Sequence, residues 1–171
     1  MATANKGAVI PVYTLHGGPP FQKTYPEAAS QTFLRGEAVY LDGSGNVAEY
    51  TTALDDGTQR FVGFAAEDGH NNSTAAGSNT AVYIPWGTVF EGNVCTAAGA
   101  DQVTAKTQVG TAYVLFENAT LNIVQIDISN SASQISAVRL VSISTRGAVG
   151  DTNGRVEFVV IPAALQITGS A

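Results

Sequence analysis

From residue 33 onward, the chain alternates between short segments rich in Val, Ile, Tyr, Phe and Thr and turns rich in Gly, Asp and Asn. Val156, Phe158 and Val160 alternate with polar neighbours, which is the period of two expected of a half-buried strand. No segment sustains the period of 3.6 residues that an amphipathic helix requires. The pattern therefore predicts an all-β protein, with a small β-barrel or β-sandwich as its architecture.

Nine segments have the composition and length of β-strands. Turn sequences that favour positive φ angles separate them. The only helix predicted is a turn or two over Pro26–Thr32, because proline favours the first helical position. The predicted strands are Gly36–Leu41, Val47–Thr51, Phe61–Ala65, Ala81–Trp86, Val89–Glu91, Ala112–Glu117, Leu121–Ile128, Val138–Ser144 and Arg155–Ile161.

The first 30 residues differ from the rest because they contain four of the six prolines. Proline fixes its own φ and biases the preceding residue towards extended geometry, so we predict an extended N-terminal arm over residues 1–30. Two placements are open: the arm contacts a neighbouring subunit, or it wraps its own domain as an N-terminal strand. The apolar side chains that we predict to bind a partner are Val9, Ile10, Val12, Tyr13, Leu15, Phe21 and Tyr25.

The remaining residues, 31–171, are predicted to form the all-β domain, divisible into sub-halves 31–97 and 108–171. The two halves show a weak internal similarity: Arg60–Phe64 and Ala81–Pro85 match Arg139–Ile143 and Phe158–Pro162 in layout. Both units consist of a strand, a long loop that contains glycine, a second strand and the pair Ile-Pro. A duplicated strand unit is one explanation, and chance similarity between β-rich segments is the other.

Charge excludes several classes of function. Only 13% of residues are charged, against about 25% in an average soluble domain, and the net charge is -6. This balance argues against nucleic-acid binding through phosphate neutralisation. No apolar run approaches the roughly 20 residues of a membrane-spanning helix, and the N-terminus lacks the apolar stretch of a signal peptide. We therefore expect a protein that is neither membrane-bound nor secreted.

One sequence motif suggests catalysis. Residues 15–20, Leu-His-Gly-Gly-Pro-Pro, look like the His-Gly-Gly-Pro segment that forms the oxyanion hole of certain α/β-hydrolases. That function requires a downstream Gly-x-Ser-x-Gly nucleophile motif, which the sequence does not contain. The other histidine, His70, lies in a loop of Gly, Asn and Ser. We therefore interpret Gly17–Pro20 as a bend in the arm.

The sequence predicts no metal site and no cofactor. Two histidines and one cysteine cannot supply a zinc cluster at the usual spacing. The turns Asp42–Asn46 and Asp151–Gly154 resemble calcium loops only faintly, because both lack the bidentate acid at the twelfth position. We interpret both as ordinary turns.

Four other features have a structural explanation that we prefer to a catalytic one. The acid pairs Asp55–Asp56 and Glu67–Asp68 lie in turn-rich stretches, where solvated carboxylates are the rule. Cys95, the only cysteine, is expected to be a small buried side chain. Trp86, the only tryptophan, alternates with Val82 and Ile84 and is expected in the core or at an interface rather than in a sugar-stacking site. We predict no catalytic residue and no enzymatic activity.

Four runs between residues 35 and 94 carry a family resemblance. They are Arg35–Gly43, Gly45–Ala48, Phe61–Asp68 and Val82–Glu91. These runs resemble the small capsid decoration, or cement, proteins of tailed bacteriophages. In that family a Gly-acid-Ala-Val strand, a Val-Gly-x-Ala strand and a closing Gly-x-Val-x-Glu turn build a small β-barrel-like domain. The resemblance covers about a third of the chain.

The resemblance implies a non-enzymatic virion protein that binds the outer surface of an expanded capsid and stabilises it. It implies the major capsid protein as partner, a homotrimer, and no cofactor, nucleic acid or membrane. It also implies that the protein is made in the host cytoplasm and then resides on the outer capsid surface. Three alternatives stay open: another virion component, such as a head fibre base or a tail protein; a carbohydrate-binding β-sandwich that uses Trp86 and His70–Ser73; and an enzyme with a pair of carboxylates that the sequence alone does not reveal.

Overall fold

The computed structural model describes residues 6–50, 61–96, 99–130 and 138–162. These ranges contain eleven strands and one short 3-10 helix, Lys106–Gln108. The all-β prediction is confirmed, and each of the nine predicted strands is present with somewhat different ends. The strands are β1 (Ile10–Thr14), β2 (Gln22–Pro26), β3 (Ala38–Leu41), β4 (Val47–Glu49), β5 (Phe61–Ala65), β6 (Asn79–Tyr83), β7 (Thr88–Cys95), β8 (Ala112–Asn118), β9 (Ile123–Asp127), β10 (Val138–Ile143) and β11 (Arg155–Val160).

Five strands close into a barrel in the order β7-β11-β10-β8-β9, with β9 returning to β7. The closing pair is parallel and joins Val94 to Ile126 and Cys95 to Asp127. β7 is long enough to serve three partners: β11 pairs along one edge, while β1 and β9 share the other edge at its two ends. Closure removes the exposed strand edges that an open sheet would leave.

The other five strands form a sheet in the order β2-β6-β5-β3-β4, and this sheet packs against the barrel. Phe64 of the sheet lies 4.8 Å from Phe90 and 6.0 Å from Phe158 of the barrel, measured between ring centroids. Its other face carries a second core that includes Phe33 and Val62. The central strand β5 is therefore buried on both faces, which accounts for its continuous apolar sequence, whereas the edge strand β2 is largely exposed.

Both strands of the predicted arm pair within their own chain. β1 extends the barrel beside β7, and β2 is an edge strand of the five-stranded sheet. Val9 and Tyr25 are 1% and 8% exposed and belong to the two cores. From residue 6 onward the arm thus wraps its own domain, which is the second of the two placements considered above, and residues 1–5 lie outside the described residues.

A buried polar network holds the segment that precedes β1. The carboxylate of Glu91, 2% exposed, accepts hydrogen bonds from Arg155 and, at 2.6 Å, from the hydroxyl of Ser144. Arg155 also donates to the carbonyl oxygen of Ala8 at 3.0 Å. A buried carboxylate requires such partners, and here the guanidinium that satisfies it also ties down the N-terminal segment.

The prediction of a helical turn over Pro26–Thr32 is wrong. β2 ends at Pro26, and an irregular segment follows. Glu27 donates its backbone N–H to Ser78 at 2.9 Å, and Ala28 donates to Val47 at 2.8 Å. These bonds to the five-stranded sheet occupy the backbone where a helix would have to begin.

The two sheets do not coincide with the predicted sub-halves, since the five-stranded sheet also includes β2 of the arm. β7 falls inside the first sub-half, 31–97, but is a strand of the barrel, to which the sub-half 108–171 contributes the rest. The two internally similar units each form an antiparallel pair, β5 with β6 in the sheet and β10 with β11 in the barrel. Arg60, the first residue of the first unit, lies outside the described residues.

Candidate protein-binding surface

The seven predicted partner-binding residues differ in exposure, and the structure does not bring all of them to one surface. Val9 and Tyr25 are core residues, and Ile10 is partly buried. Only the others are available to a partner in this fold. They are Val12, 40% exposed, Tyr13, 41%, Leu15, 59%, and Phe21, 59%.

Two loops meet at one end of the molecule. The loop between β1 and β2 donates from the backbone N–H of Leu15 to the carbonyl oxygen of Gly87 at 2.8 Å. The turn between β6 and β7 donates in return from Ile84 to the carbonyl oxygen of Phe21 at 2.9 Å. The loops therefore support each other. We call this end the tip, and it comprises residues 15–21 and 84–87.

Trp86 lies on the tip and is 63% exposed, more than any other large apolar side chain among the described residues. The alternative that placed it in the core is wrong, because β6 ends at Tyr83 and the alternation with Val82 stops there. Pro85 accepts a hydrogen bond from the N–H of Thr88 at 3.2 Å, which makes a tight turn. This turn, not a strand, sets the direction of the indole.

The tip has no charged side chain. Its eleven residues comprise apolar residues, glycines, three prolines and His16. The ring of His16 lies over Gly87, where a Cβ would be 3.3 Å from the imidazole Cδ2. The predicted bend over Gly17–Pro20 is present, with φ angles of 76° and 91° at its two glycines. A rigid, uncharged surface of this kind suits contact with apolar groups.

The outer side of β1 extends the exposed apolar surface along the barrel. Val12 lies at an irregularity in the pairing with β7, between Pro11 and Tyr13. The hydroxyl of Tyr13 reaches the carboxylate of Glu157 on β11 at 3.4 Å. Burial, and then the charge of Glu157, raise the pKa of Tyr13. The phenol of Tyr13 therefore remains neutral. It donates a hydrogen bond to Glu157 across β7, the strand between β1 and β11.

The described residues contain neither a reactive cysteine nor a group of side chains that could bind a metal ion. Cys95 is buried as expected, and burial raises the pKa of its thiol to about 12, so the thiolate is not accessible near neutral pH. No group of three or more His, Cys, Asp or Glu side chains is arranged to hold a metal ion within the described ranges.

The acids in turns have structural roles. Asp42 Oδ1 accepts hydrogen bonds from the backbone N–H groups of Ser44 and Asn46, both at 2.8 Å, which confirms an ordinary turn over Asp42–Asn46. In the second predicted turn, Asp151 Oδ2 accepts from the N–H of Ala148.

The two acid pairs have different outcomes. Glu67 accepts from the backbone N–H of Ala81, and Asp68 from that of Arg35, so neither carboxylate is merely solvated. The pair Asp55–Asp56 lies outside the described residues.

Sequence reasoning missed a group of acids at the junction of barrel and sheet. Burial, and then the charges of Glu49 and Glu37, raise the pKa of Glu117 to about 7. Glu37 is 3% exposed, and burial raises its pKa as well. Oε1 of Glu37 and Oε2 of Glu117 are buried without a hydrogen-bond partner in the described part of the chain. The one available signal is that Glu117 follows Tyr113 and Leu115 on the apolar side of β8.

The structure separates the two parts of the predicted carbohydrate site. Trp86 lies at the end of the sheet where Gln22 pairs with Tyr83, the last residue of β6. His70 lies at the other end, because it binds Glu27, which directly follows β2. The strands between them are five residues long, or roughly 15 Å. Trp86 and His70–Ser73 therefore do not form a single site.

No helix in the described ranges has the length and hydropathy needed to cross a membrane. The chain matches no protein-family model. No curated protein is significantly similar to it in sequence.

Proposed function

We propose that this chain is a non-enzymatic virion structural protein that binds the outer surface of an expanded phage capsid and stabilises it. The observation that carries the proposal is the exposure of large apolar side chains on the arm. Val12, Tyr13, Leu15 and Phe21 are each at least 40% exposed on a molecule with few charges. Apolar surface of this kind is commonly a site of contact with another protein.

The family resemblance supports the same proposal. Its four runs fall on β3, β4, β5 and the segment from β6 into β7, which are consecutive in the chain. Four of these five strands belong to the same sheet. The resemblance thus falls mainly on the five-stranded sheet and ends on a strand of the barrel.

The proposed partner is the major capsid protein, and the proposed assembly is a homotrimer on the outer capsid surface after synthesis in the host cytoplasm. A ligand that binds the expanded lattice, and not the immature one, stabilises the expanded form by mass action, by about 2.7 kcal/mol at a free concentration of 100 times Kd. Three linked contacts attach more firmly than one. This function requires no cofactor, nucleic acid or membrane.

Cosedimentation with empty capsids tests the proposal. The protein is mixed with expanded, undecorated capsids of the phage whose genome encodes it, and with unexpanded procapsids as the control. We expect saturable binding to expanded capsids and much weaker binding to procapsids. Absence of binding to expanded capsids would rule the function out.

One observation favours a second candidate function. The exposed indole of Trp86 is available for stacking against a sugar ring, with His16 on the same tip as a polar group. This site differs from the one predicted from the sequence, because it does not include His70–Ser73. A glycan array distinguishes the two functions: specific glycan binding that Trp86→Ala abolishes would favour carbohydrate recognition.

A further inference from the structure

The tip presents a small apolar area. Leu15 and Phe21 are each 59% exposed, and Trp86 is 63% exposed. With areas of about 150–250 Å² for large apolar side chains, these three present roughly 350 Å². A stable interface between two proteins buries about 800 Å² on each partner. These three side chains alone would therefore supply less than half the area that a stable dimer of two tips needs.

The shape of the tip favours a concave partner. Leu15 and Phe21 lie on one short loop and Trp86 on the other, and all three are exposed at the same end of the molecule. A pocket that surrounds them removes nearly all of their area from water, as in the centres of strong protein interfaces. Aromatic anchors in such pockets contribute most of the binding energy.

The tip is also fixed before it binds. Its two loops are joined by the hydrogen bonds from Leu15 to Gly87 and from Ile84 to Phe21, at 2.8 and 2.9 Å. Prolines at three of its eleven positions restrict the backbone further. A surface that is already ordered loses less conformational entropy on binding.

The distribution of charge argues against a membrane as the partner. The tip contains no Lys or Arg, and the chain carries a net charge of -6. The nearest basic residue after the first loop, Lys23, has its ammonium group 4.8 Å from the ring centroid of Tyr25. Proteins that insert apolar side chains into anionic membranes surround them with basic residues.

From this area, shape and charge, we propose that the tip is an anchor whose side chains Leu15, Phe21 and Trp86 insert together into an uncharged apolar pocket of the capsid protein. The inference rests on the proposed function and names the contact that performs it. The small area makes a single engagement weak, so firm attachment requires several tips on one lattice. Trp86, the most exposed of the three, dominates the contact.

Capsid binding by full-length variants tests the anchor. Trp86→Ser removes the largest anchor side chain. Val149→Ser is the matched control, because Val149 is 50% exposed but lies in the loop before β11. β11 begins at Arg155, which pairs with Asn93 towards the far end of β7 from the tip. We expect Kd for expanded capsids to rise at least about tenfold for Trp86→Ser and less than about twofold for Val149→Ser.

A second variant and a salt series complete the test. Phe21→Ser, on the other loop, should also weaken binding several-fold while leaving the thermal unfolding temperature nearly unchanged. Raising NaCl from about 50 to about 500 mM should change wild-type Kd less than about twofold, because no charge is involved. A large loss of affinity in salt would contradict an apolar anchor.

The outcomes separate this inference from the proposed function. If the wild type does not bind expanded capsids, the function itself fails. If the wild type binds and both tip variants bind equally well, the function stands and the anchor is wrong. Binding to vesicles of phosphatidylcholine and phosphatidylserine that Trp86→Ser abolishes, or a change of oligomeric state in that variant, would also overturn the capsid pocket as the partner.

Discussion

At the scale of single residues, Gly36 shows how closely the N-terminal segment approaches the domain. Its φ is +89°, and a Cβ at this position would lie 2.6 Å from the carbonyl oxygen of Val9. Its N–H donates to Ala65 at 2.8 Å, so the backbone cannot move away without losing a hydrogen bond. Glycine is the residue that meets both conditions without strain.

We therefore expect Gly36→Ala to lower the free energy of unfolding by about 2 kcal/mol or more, from the positive φ and the clash together. Gly43→Ala is the control, because a Cβ there meets no atom within 4 Å and its φ is not positive. That variant should change the free energy by less than about 0.5 kcal/mol. Urea unfolding measures both, and equal effects would contradict the close approach.

The pair Glu27–His70 joins the end of β2 to the loop after β5. Glu27, 1% exposed, accepts hydrogen bonds from the Thr80 hydroxyl at 2.5 Å and the His70 backbone N–H at 2.9 Å, and its Oε2 lies 2.8 Å from His70 Nδ1. Burial alone would raise the pKa of Glu27, but the hydrogen bonds outweigh it and lower the pKa. The hydrogen bond to Glu27 raises the pKa of His70.

These two shifts predict a window of pH in which the pair stabilises the fold most. The contribution of His70 is complete below about pH 6.5 and is lost as the pH rises through its raised folded-state pKa. The contribution of Glu27 is present above about pH 4.5 and is lost as the pH falls through its lowered pKa. The window therefore lies between about pH 4.5 and 6.5.

His70→Asn should cost about 0.5 kcal/mol of stability at pH 5.5, the usual size for a pair with one exposed partner, and less at pH 9. His16→Asn, the same change at the other histidine, serves as the matched control. Urea unfolding at the two pH values provides the measurement. A cost for His70→Asn that is the same at both would show that the ion pair does not contribute.

Residue patterns predicted the environment of Cys95 but not that of Glu27 or Trp86. A lone cysteine among apolar neighbours indicates burial wherever the strand lies. Glu27 can be buried because Thr80 and His70, which are distant in sequence, donate hydrogen bonds to its carboxylate. No local sequence pattern predicts these partners. Trp86 was assigned by alternation, which ceases to apply once the strand gives way to a turn.

At the scale of elements, the prolines of the arm correctly indicated extended structure. They did not indicate that this structure contains two β-strands. Pro11 lies within β1 and Pro26 ends β2, and each strand lies at the edge of its sheet. An edge strand tolerates proline, because the missing N–H can lie on the side without a partner. The sequence could not show which strand each segment would join.

The junction between barrel and sheet contains acids where apolar side chains would be expected. Glu117 on β8 faces the charges of Glu37, which precedes β3, and of Glu49 at the end of β4. Asp68 adds a further negative charge near Glu37. Ionisation of Glu117 should therefore loosen the contact between barrel and sheet.

We expect the stability of the wild type to fall by about 1 kcal/mol between pH 5 and pH 8 because of Glu117. Its pKa is raised on folding to about 7, so the folded state binds its proton more tightly, and stability is lost as the pH rises towards that value. The expected loss is well below the full value of the shift, because solvent screens a partly exposed carboxyl.

Glu117→Gln should remove this part of the pH dependence and make the protein more stable than the wild type at pH 8. Glu157→Gln, on the outer side of β11, serves as the matched control. Thermal unfolding at several pH values measures both. An unchanged slope in Glu117→Gln would contradict the account of the junction.

At the scale of the whole molecule, the fold class could be predicted from alternation and turn chemistry, but the closure of the barrel could not. The barrel closes where β7 and β9 run parallel, through the residue pairs Val94–Ile126 and Cys95–Asp127. These two strands lie far apart in the chain. The Phe64, Phe90 and Phe158 cluster joins barrel and sheet in the same way. Such long-range contacts depend on the register of many strands at once.

In its proposed function, the protein stabilises an expanded capsid by binding the outer surface. Calorimetry of expanded, undecorated capsids with increasing amounts of the protein tests it most directly. We expect the melting temperature of the capsid to rise with added protein and to reach a plateau when the surface sites are filled. A melting temperature that stays the same at saturating protein would contradict it.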